Sequence, residues 1–240
     1  MIARLPICWP TCAPAVASAD PHGRVVGLAL RPAHAPAPRS VDRAIAITGH
    51  GLESDRHADP RSPRQLLLAG TPAYDHLRLA PLLLRENLLL DLDTAALESG
   101  MLLRVGHDTI LRLSFQCEAC GYLAERLGGS TRALGLRRGI LARVEEGGDM
   151  RVGDAVVILD ARRPAMPEDW RERVAMVLDG VPPGMVITYA DLAHVAGIQS
   201  TYCRAFPRVL AKLGSGRAAR AVAARSADPS PRWDGAGFFN

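Results

Sequence analysis

The sequence predicts an α+β fold: a β-rich, barrel-like domain followed by a small helical winged-helix (helix-turn-helix) domain. Three observations carry this expectation. Short apolar runs punctuated by Gly, Pro and Asp fill residues 24–160, the pattern of many short strands with few helices. From residue 169 the apolar period changes from that of strands to that of helices. Between them lies a polar, Pro-containing stretch, residues 161–168 (ARRPAMPE), that suits a linker.

In chain order, residues 1–23 read as a disordered extension, or one created by a misplaced start; Pro6, Pro10 and Pro14 interrupt its apolar stretch. RVVGLAL (24–30) reads as the first strand and residues 31–40 as a Pro-rich loop. AIAIT (44–48), RQLLLAG (64–70), NLLLDL (87–92), 101–105 and 109–115 read as further strands. GYLAERLG (121–128) suits a short helix, and 140–148 with 154–160 a closing pair of strands. WRERVAMVLDGV (170–181) puts Val174, Val177, Leu178 and Val181 on one helical face. ITYADLAHVAG (187–197) follows, with Thr188 or Asp191 as its cap and Gly197 as its stop. STYCRAFPRVLAKLG (200–214) reads as a third helix, although Pro207 costs about 3 kcal/mol inside a helix unless it stands in the first turn. The helix would then begin near Phe206.

Composition excludes several classes. The 240 residues are 48% hydrophobic, so a buried core is feasible and global disorder is not expected. No apolar run approaches the length of a membrane span, so no membrane partner is expected and the localisation expected is cytoplasmic. Five cysteines, an odd number, do not suit a disulfide-built scaffold, and the pair Cys8 and Cys12 lacks a second ligand pair nearby for zinc. Lys212 is the only lysine, and it lies far from the other site candidates, so pyridoxal phosphate is an unlikely cofactor. The net charge of +4 falls entirely in residues 161–240, which hold 11 basic and 7 acidic residues. Between Ser200 and Ala227 there are six basic residues and no acidic one, which points to a polyanion partner for this part.

The first domain concentrates polar residues at strand ends: Asp55, Arg56 and His57, then Arg64 and Gln65, then Arg85, Glu86 and Asn87. Its arginines suit a phosphate or carboxylate. Cys117 and Cys120 follow a strand, and Cys120 precedes a helix, where a thiol's pKa is lowered. Cys120 is thereby a nucleophile, a sulfur carrier or a soft-metal ligand.

The segments GLESDRHADPRSPRQ, RENLLLDL, ILRLSFQCEACGYL, RRGILARV and MRVGDAV resemble the MOSC domain, in order over roughly 24–160. The resemblance implies a β-barrel-like fold and a role in sulfur carriage, in molybdenum cofactor binding or in reduction of N-hydroxylated bases. It places the family's cysteine on Cys120, as persulfide carrier or molybdenum ligand, with Cys117 able to resolve it. The family's Gly-Leu-x-Gly-Asp reads here Gly51-Leu52-Glu53-Ser54-Asp55, and its Gly-Glu-Asn reads Arg85-Glu86-Asn87, so two glycines are replaced.

Residues 174–213 resemble the DNA-binding region of O6-alkylguanine-DNA alkyltransferases and alkyltransferase-like proteins. The resemblance implies a minor-groove helix in which Arg204 replaces a flipped-out base, Tyr189 of the Thr188-Tyr189 pair turns the backbone, and Arg208 and Lys212 meet phosphates, as Arg217 also could. Ala replaces the family's nucleophilic Cys and no thiol follows Cys203, so dealkylation is excluded. The leading expectation couples Cys120 chemistry, with a sulfur donor or acceptor protein as partner, to recognition of modified DNA. Two others stand beside it: a non-enzymatic damage-recognition protein, and a persulfide-transfer protein that never touches DNA.

Overall fold

The computed structural model describes residues 20–35, 37–119, 121–128 and 130–239. The expectations placed on residues 1–19, with Cys8 and Cys12, and on Cys120 lie outside the described residues.

The strands, in chain order, are β1 (Gly23–Leu30), β2 (Arg39–Val41), β3 (Arg43–Ile47), β4 (Gly51–Leu52), β5 (Leu66–Gly70), β6 (Leu88–Leu90), β7 (Met101–Val105), β8 (Thr109–Gln116), β9 (Ile140–Glu146), β10 (Gly148–Arg151) and β11 (Ala155–Arg162). Seven of them close on themselves in the order β11-β7-β8-β9-β5-β6-β1, with the first residues of β1 pairing back onto β11. All these pairings are antiparallel except β5–β6. An odd-stranded ring needs such a parallel pair, and a parallel pair needs a crossover. The crossover here holds α1 (Thr71–Leu77), which the strand pattern alone did not suggest, although Pro72 in its first turn is a start signal. β3, β4 and β10 form a separate three-stranded sheet beside the barrel.

Burial explains the two apolar patterns. β3 alternates, with Ala44 and Ala46 inside and Ile45 and Ile47 about 40% exposed. β5 is buried at every position. Leu66 and Leu68 point into the barrel core with Leu103, Leu111 and Ile140. On its outer face, Ala69 is covered by α1 and by α2 (Gly121–Arg126), and Leu67 packs with Phe115, Leu141 and Met166. A strand covered on both faces reads as a continuous run.

Residues 161–168, expected as a linker, carry β11 to Arg162 and then bury Met166 in that outer cluster. The remainder forms α3 (Trp170–Asp179), β12 (Val186–Thr188), α4 (Tyr189–Val195), α5 (Phe206–Lys212), α6 (Ser215–Ala218), β13 (Ala221–Val222) and β14 (Arg232–Trp233). The three short strands make a parallel sheet with β12 in the middle. Val174, Val177, Leu178 and Val181 are all buried, as their spacing predicts. Thr188 caps α4 by accepting from the Asp191 N–H at 3.1 Å. The single helix expected over 200–214 is broken: a 3-10 turn spans Ser200–Ala205 and α5 starts at Phe206. Pro207 stands in the first turn of α5, where its missing N–H costs nothing.

This C-terminal unit is seated on the barrel. Arg173 of α3 is 1% exposed; its Nε donates to Ala196 O at 2.9 Å and its Nη1 to Pro167 O and Glu168 O at 2.9 and 2.8 Å. Its guanidinium lies 3.7 Å from the centre of the Phe115 ring at the end of β8. Gly197, at φ +68°, fits against the same ring: a Cβ there would stand 2.7 Å from Phe115 Cζ and 2.6 Å from Pro63 Cγ.

Candidate functional site

The centre of the site is Asp55, whose side chain is fully buried. Its Oδ2 accepts from the Arg31 backbone N–H and from Asn87 Nδ2, both at 2.8 Å. Its Oδ1 accepts from the His57 backbone N–H at 2.8 Å and lies 3.2 Å from His57 Nδ1. Asn87, also fully buried, accepts on Oδ1 from Arg31 Nη2 at 2.5 Å and from the Leu67 N–H at 3.1 Å. Its Nδ2 donates to Ala29 O at 3.1 Å as well. One polar hub thus ties the end of β1, the turn after β4, and the start of β6 where it meets β5. Burial alone would raise the Asp55 carboxyl; the His57 hydrogen bond and the Arg31 charge outweigh it and hold the carboxyl below its usual value. Burial lowers His57, against the pull of Asp55.

Two of the turns that carry these groups have a left-handed backbone at a residue other than glycine. Ser54 has φ +63° and Arg85 φ +59°, the conformation that favours glycine. A residue with a Cβ is strained in this conformation.

A basic cradle lies beside the hub. Burial pushes Arg31 down to about 10; Asp55 opposes this, and the charges of Arg85 and Arg138 add to it. Arg31 Nε has no hydrogen-bond partner among the described residues, and neither do Nε and Nη1 of Arg138, which is 6% exposed. The next residue, Gly139, accepts the Cys117 N–H at 2.8 Å. Arg64 places Nη2 4.0 Å from Cys117 Sγ and donates from Nη1 to Gly197 O at 3.0 Å. A cleft of about 180 Å³ opens here between barrel and C-terminal unit, lined by Arg64, Glu118, Ala119, Gly121, Arg173 and Tyr202.

The other expected residues fall as follows. Cys117 is buried in the cluster with Leu67, Phe115 and Met166. Gln65 is fully buried and spent on the fold: Nε2 donates to Gly49 O and Asp59 O, and Oε1 accepts from the Val144 N–H. Arg56 is exposed, and among the described residues only its backbone N–H is engaged, with Arg31 O at 2.8 Å. Glu86 turns towards α1, accepting from the Tyr74 hydroxyl at 2.6 Å. Arg85 extends over the Tyr122 ring, 5.1 Å from its centre. Arg31 and Arg138 were missed by sequence reasoning: the first sits in a Pro-rich loop, the second in an Arg pair, and only burial sets them apart.

In the C-terminal unit Thr188 serves as a cap and Tyr189 packs edge-on against Phe206 at 5.6 Å. Arg204, Arg208 and Lys212, spaced by four, are exposed and make no ion pair among the described residues. Arg217 is engaged otherwise than expected, forked onto Asp179 at 2.8 and 2.7 Å. Among the described residues no three His, Cys, Asp or Glu side chains form a group able to hold a metal.

Residues 61–157 match the model of the MOSC domain family. That span contains β5 to β9, the Arg85–Asn87 turn and the Cys117–Cys120 segment; Arg31 and Asp55 lie before it. No curated protein matches the chain. Among solved structures, YuaD from Bacillus subtilis is 16% identical, with a TM-score of 0.48 over 56% of this chain and 93% of that one. YiiM from Geobacillus stearothermophilus is 14% identical, with a TM-score of 0.49 over 78% and 98% of the two chains. YiiM from Escherichia coli is 18% identical, with a TM-score of 0.45 over 80% and 96%.

Proposed function

We propose that the barrel holds an anionic, phosphate-bearing group near Cys117, and that Cys120 acts as persulfide carrier or molybdenum ligand. The observation that carries this reading is the pair of buried guanidiniums, Arg31 and Arg138, with three nitrogens lacking partners. Arg31 is countered by Asp55, but Arg138 forms no ion pair among the described residues; buried donors without partners are costly, and an anion would satisfy them. This donor set fits the phosphate of a pterin cofactor: Arg31 and Arg138 would bind it, with Arg64 on the cysteine side. When bound, the molybdenum centre would supply two-electron redox chemistry. The chain's own contribution is to orient Arg31 through Asp55 and Asn87, and to screen the site from water with the Gly197–Tyr202 segment.

The test is the molybdenum and pterin content of protein purified without oxygen, with Cys120→Ser and Arg138→Ala in parallel. Near-stoichiometric metal, lost in both variants, is expected for a cofactor site. A persulfide on Cys120 without metal would favour sulfur carriage. Neither metal nor persulfide would overturn the proposal.

A second reading concerns the C-terminal unit, and Arg204, Arg208 and Lys212, exposed and unpaired among the described residues, favour it. We infer that this face meets a nucleic-acid backbone, in a helix-turn-helix arrangement made by α4, Gly197 and α5, and that it recognises modified DNA without dealkylating it. Duplex titration at two salt concentrations tests this. Each phosphate contact contributes about 0.9 to the salt slope, so the triple Ala variant should flatten it by roughly 2–3. No binding at low salt would remove the reading.

A further inference from the structure

A second cleft, of about 570 Å³, is lined in part by Glu86. It is bounded by β1, β2, α1 and the 79–82 loop, and its size is that of a small-molecule site. Its chemistry is the reverse of the cradle's. The walls are apolar, with Val26 and Val152, each 45% exposed, at the lip. The charged side chains lining it are Asp42, Asp75 and Glu86, with no Arg, Lys or His among them. Asp42 and Asp75 are exposed at the rim and form no ion pair among the described residues.

Glu86 is the decisive group. It is 1% exposed; Oε1 is taken by the Tyr74 hydroxyl, and Oε2 is buried with no partner. A buried carboxylate oxygen without a donor is costly, and native folds rarely leave one so. Arg31 and Arg138 act on this carboxyl through space but form no ion pair with it among the described residues, so it still lacks a donor, and the acidic lining of the cleft selects one that carries positive charge. We propose that this cleft binds an organic ammonium ion, with the apolar body against Val26, Leu79 and Leu82 and the charged nitrogen towards Glu86. The site is independent of the cysteine segment and does not rest on the function proposed above.

The experiment is calorimetric titration of the full chain with benzylammonium, its neutral isostere benzyl alcohol, and benzoate. Benzylammonium is expected to bind at least tenfold more tightly than benzyl alcohol, and benzoate not at all. Glu86→Gln keeps the shape and an acceptor for Tyr74, and should weaken benzylammonium at least tenfold. Val26→Lys places a like charge at the exposed lip without touching the core, and should abolish binding. Equal affinity for the ammonium and the alcohol, unchanged affinity in both variants, or no binding of any probe at millimolar concentration would overturn the proposal.

Discussion

Replacing Asp55 tests the hub most directly. Asp55→Ala removes the acceptor of the Arg31 and His57 backbone N–H groups and of Asn87 Nδ2, and it strips Arg31 of its counter-charge. Breaking a buried pair by deleting one partner costs about 3–5 kcal/mol. For a chain of this size each kcal/mol moves Tm by about 2–4 °C, so the variant should melt roughly 6–20 °C lower. Asp55→Asn keeps an acceptor and loses the charge, and should cost about 1.5–3 kcal/mol. The pH dependence separates the charge from the shape. The Asp55 carboxyl is depressed in the fold, so its share of stability is present above its unfolded value of about 3.9 and is lost as pH falls through the folded one. Asp55→Asn should lack that acid limb. His57 is also depressed, so its share is lost as pH falls below about 6.5, and the loss should be larger in the Asn variant, which lacks the opposing pull of the Asp55 charge. Thermal melts from pH 3 to pH 8 read both limbs. Equal melting of wild type and Asp55→Ala at pH 7.5, or an unchanged acid limb in Asp55→Asn, would refute the reasoning.

Three further outcomes are expected. Ser54→Gly relieves a left-handed residue and should raise stability by about 1 kcal/mol, or Tm by about 2–4 °C; a lower Tm would show that the Ser side chain repays its strain. Gly197→Ala puts a Cβ against Phe115 and Pro63 at positive φ, and should cost about 2–5 kcal/mol in chemical denaturation, with loss of protection from proteolysis first at the junction of the two units. Burial raises the Glu86 carboxyl, so its contribution is complete below its unfolded value near 4.3 and is lost as pH rises through the folded value. Glu86→Gln should therefore melt with the wild type near pH 4 and a few degrees above it at pH 8, roughly 1 kcal/mol in stability; a variant that melts lower at pH 8 would contradict this.

Much of the architecture was legible because burial leaves a periodic trace. The barrel strands, the face of α3 and the cap of α4 each follow from apolar spacing or from a capping residue, which are local properties. The late start of α5 was legible too, since proline acts on its own turn. α1 was not, because a seven-residue helix has too few turns to show a period. The line between two domains at 161–168 looked like a linker because proline and charge mark exposed chain in general; Met166 is buried there only because α3 and β8 meet at that point.

The sequence by itself determined most of the longer elements, the charge of the C-terminal third and most of the polar residues around the hub, because each depends on the identity of near neighbours along the chain. Only the tertiary structure decided what those residues do. It spent Gln65, Thr188 and Tyr189 on the fold, buried Arg31 and Arg138 with nitrogens left unpartnered among the described residues, and lined a separate cleft with acidic side chains. The physical reason is that burial and unpaired hydrogen-bonding capacity are properties of three-dimensional neighbours, which spacing along a chain does not encode.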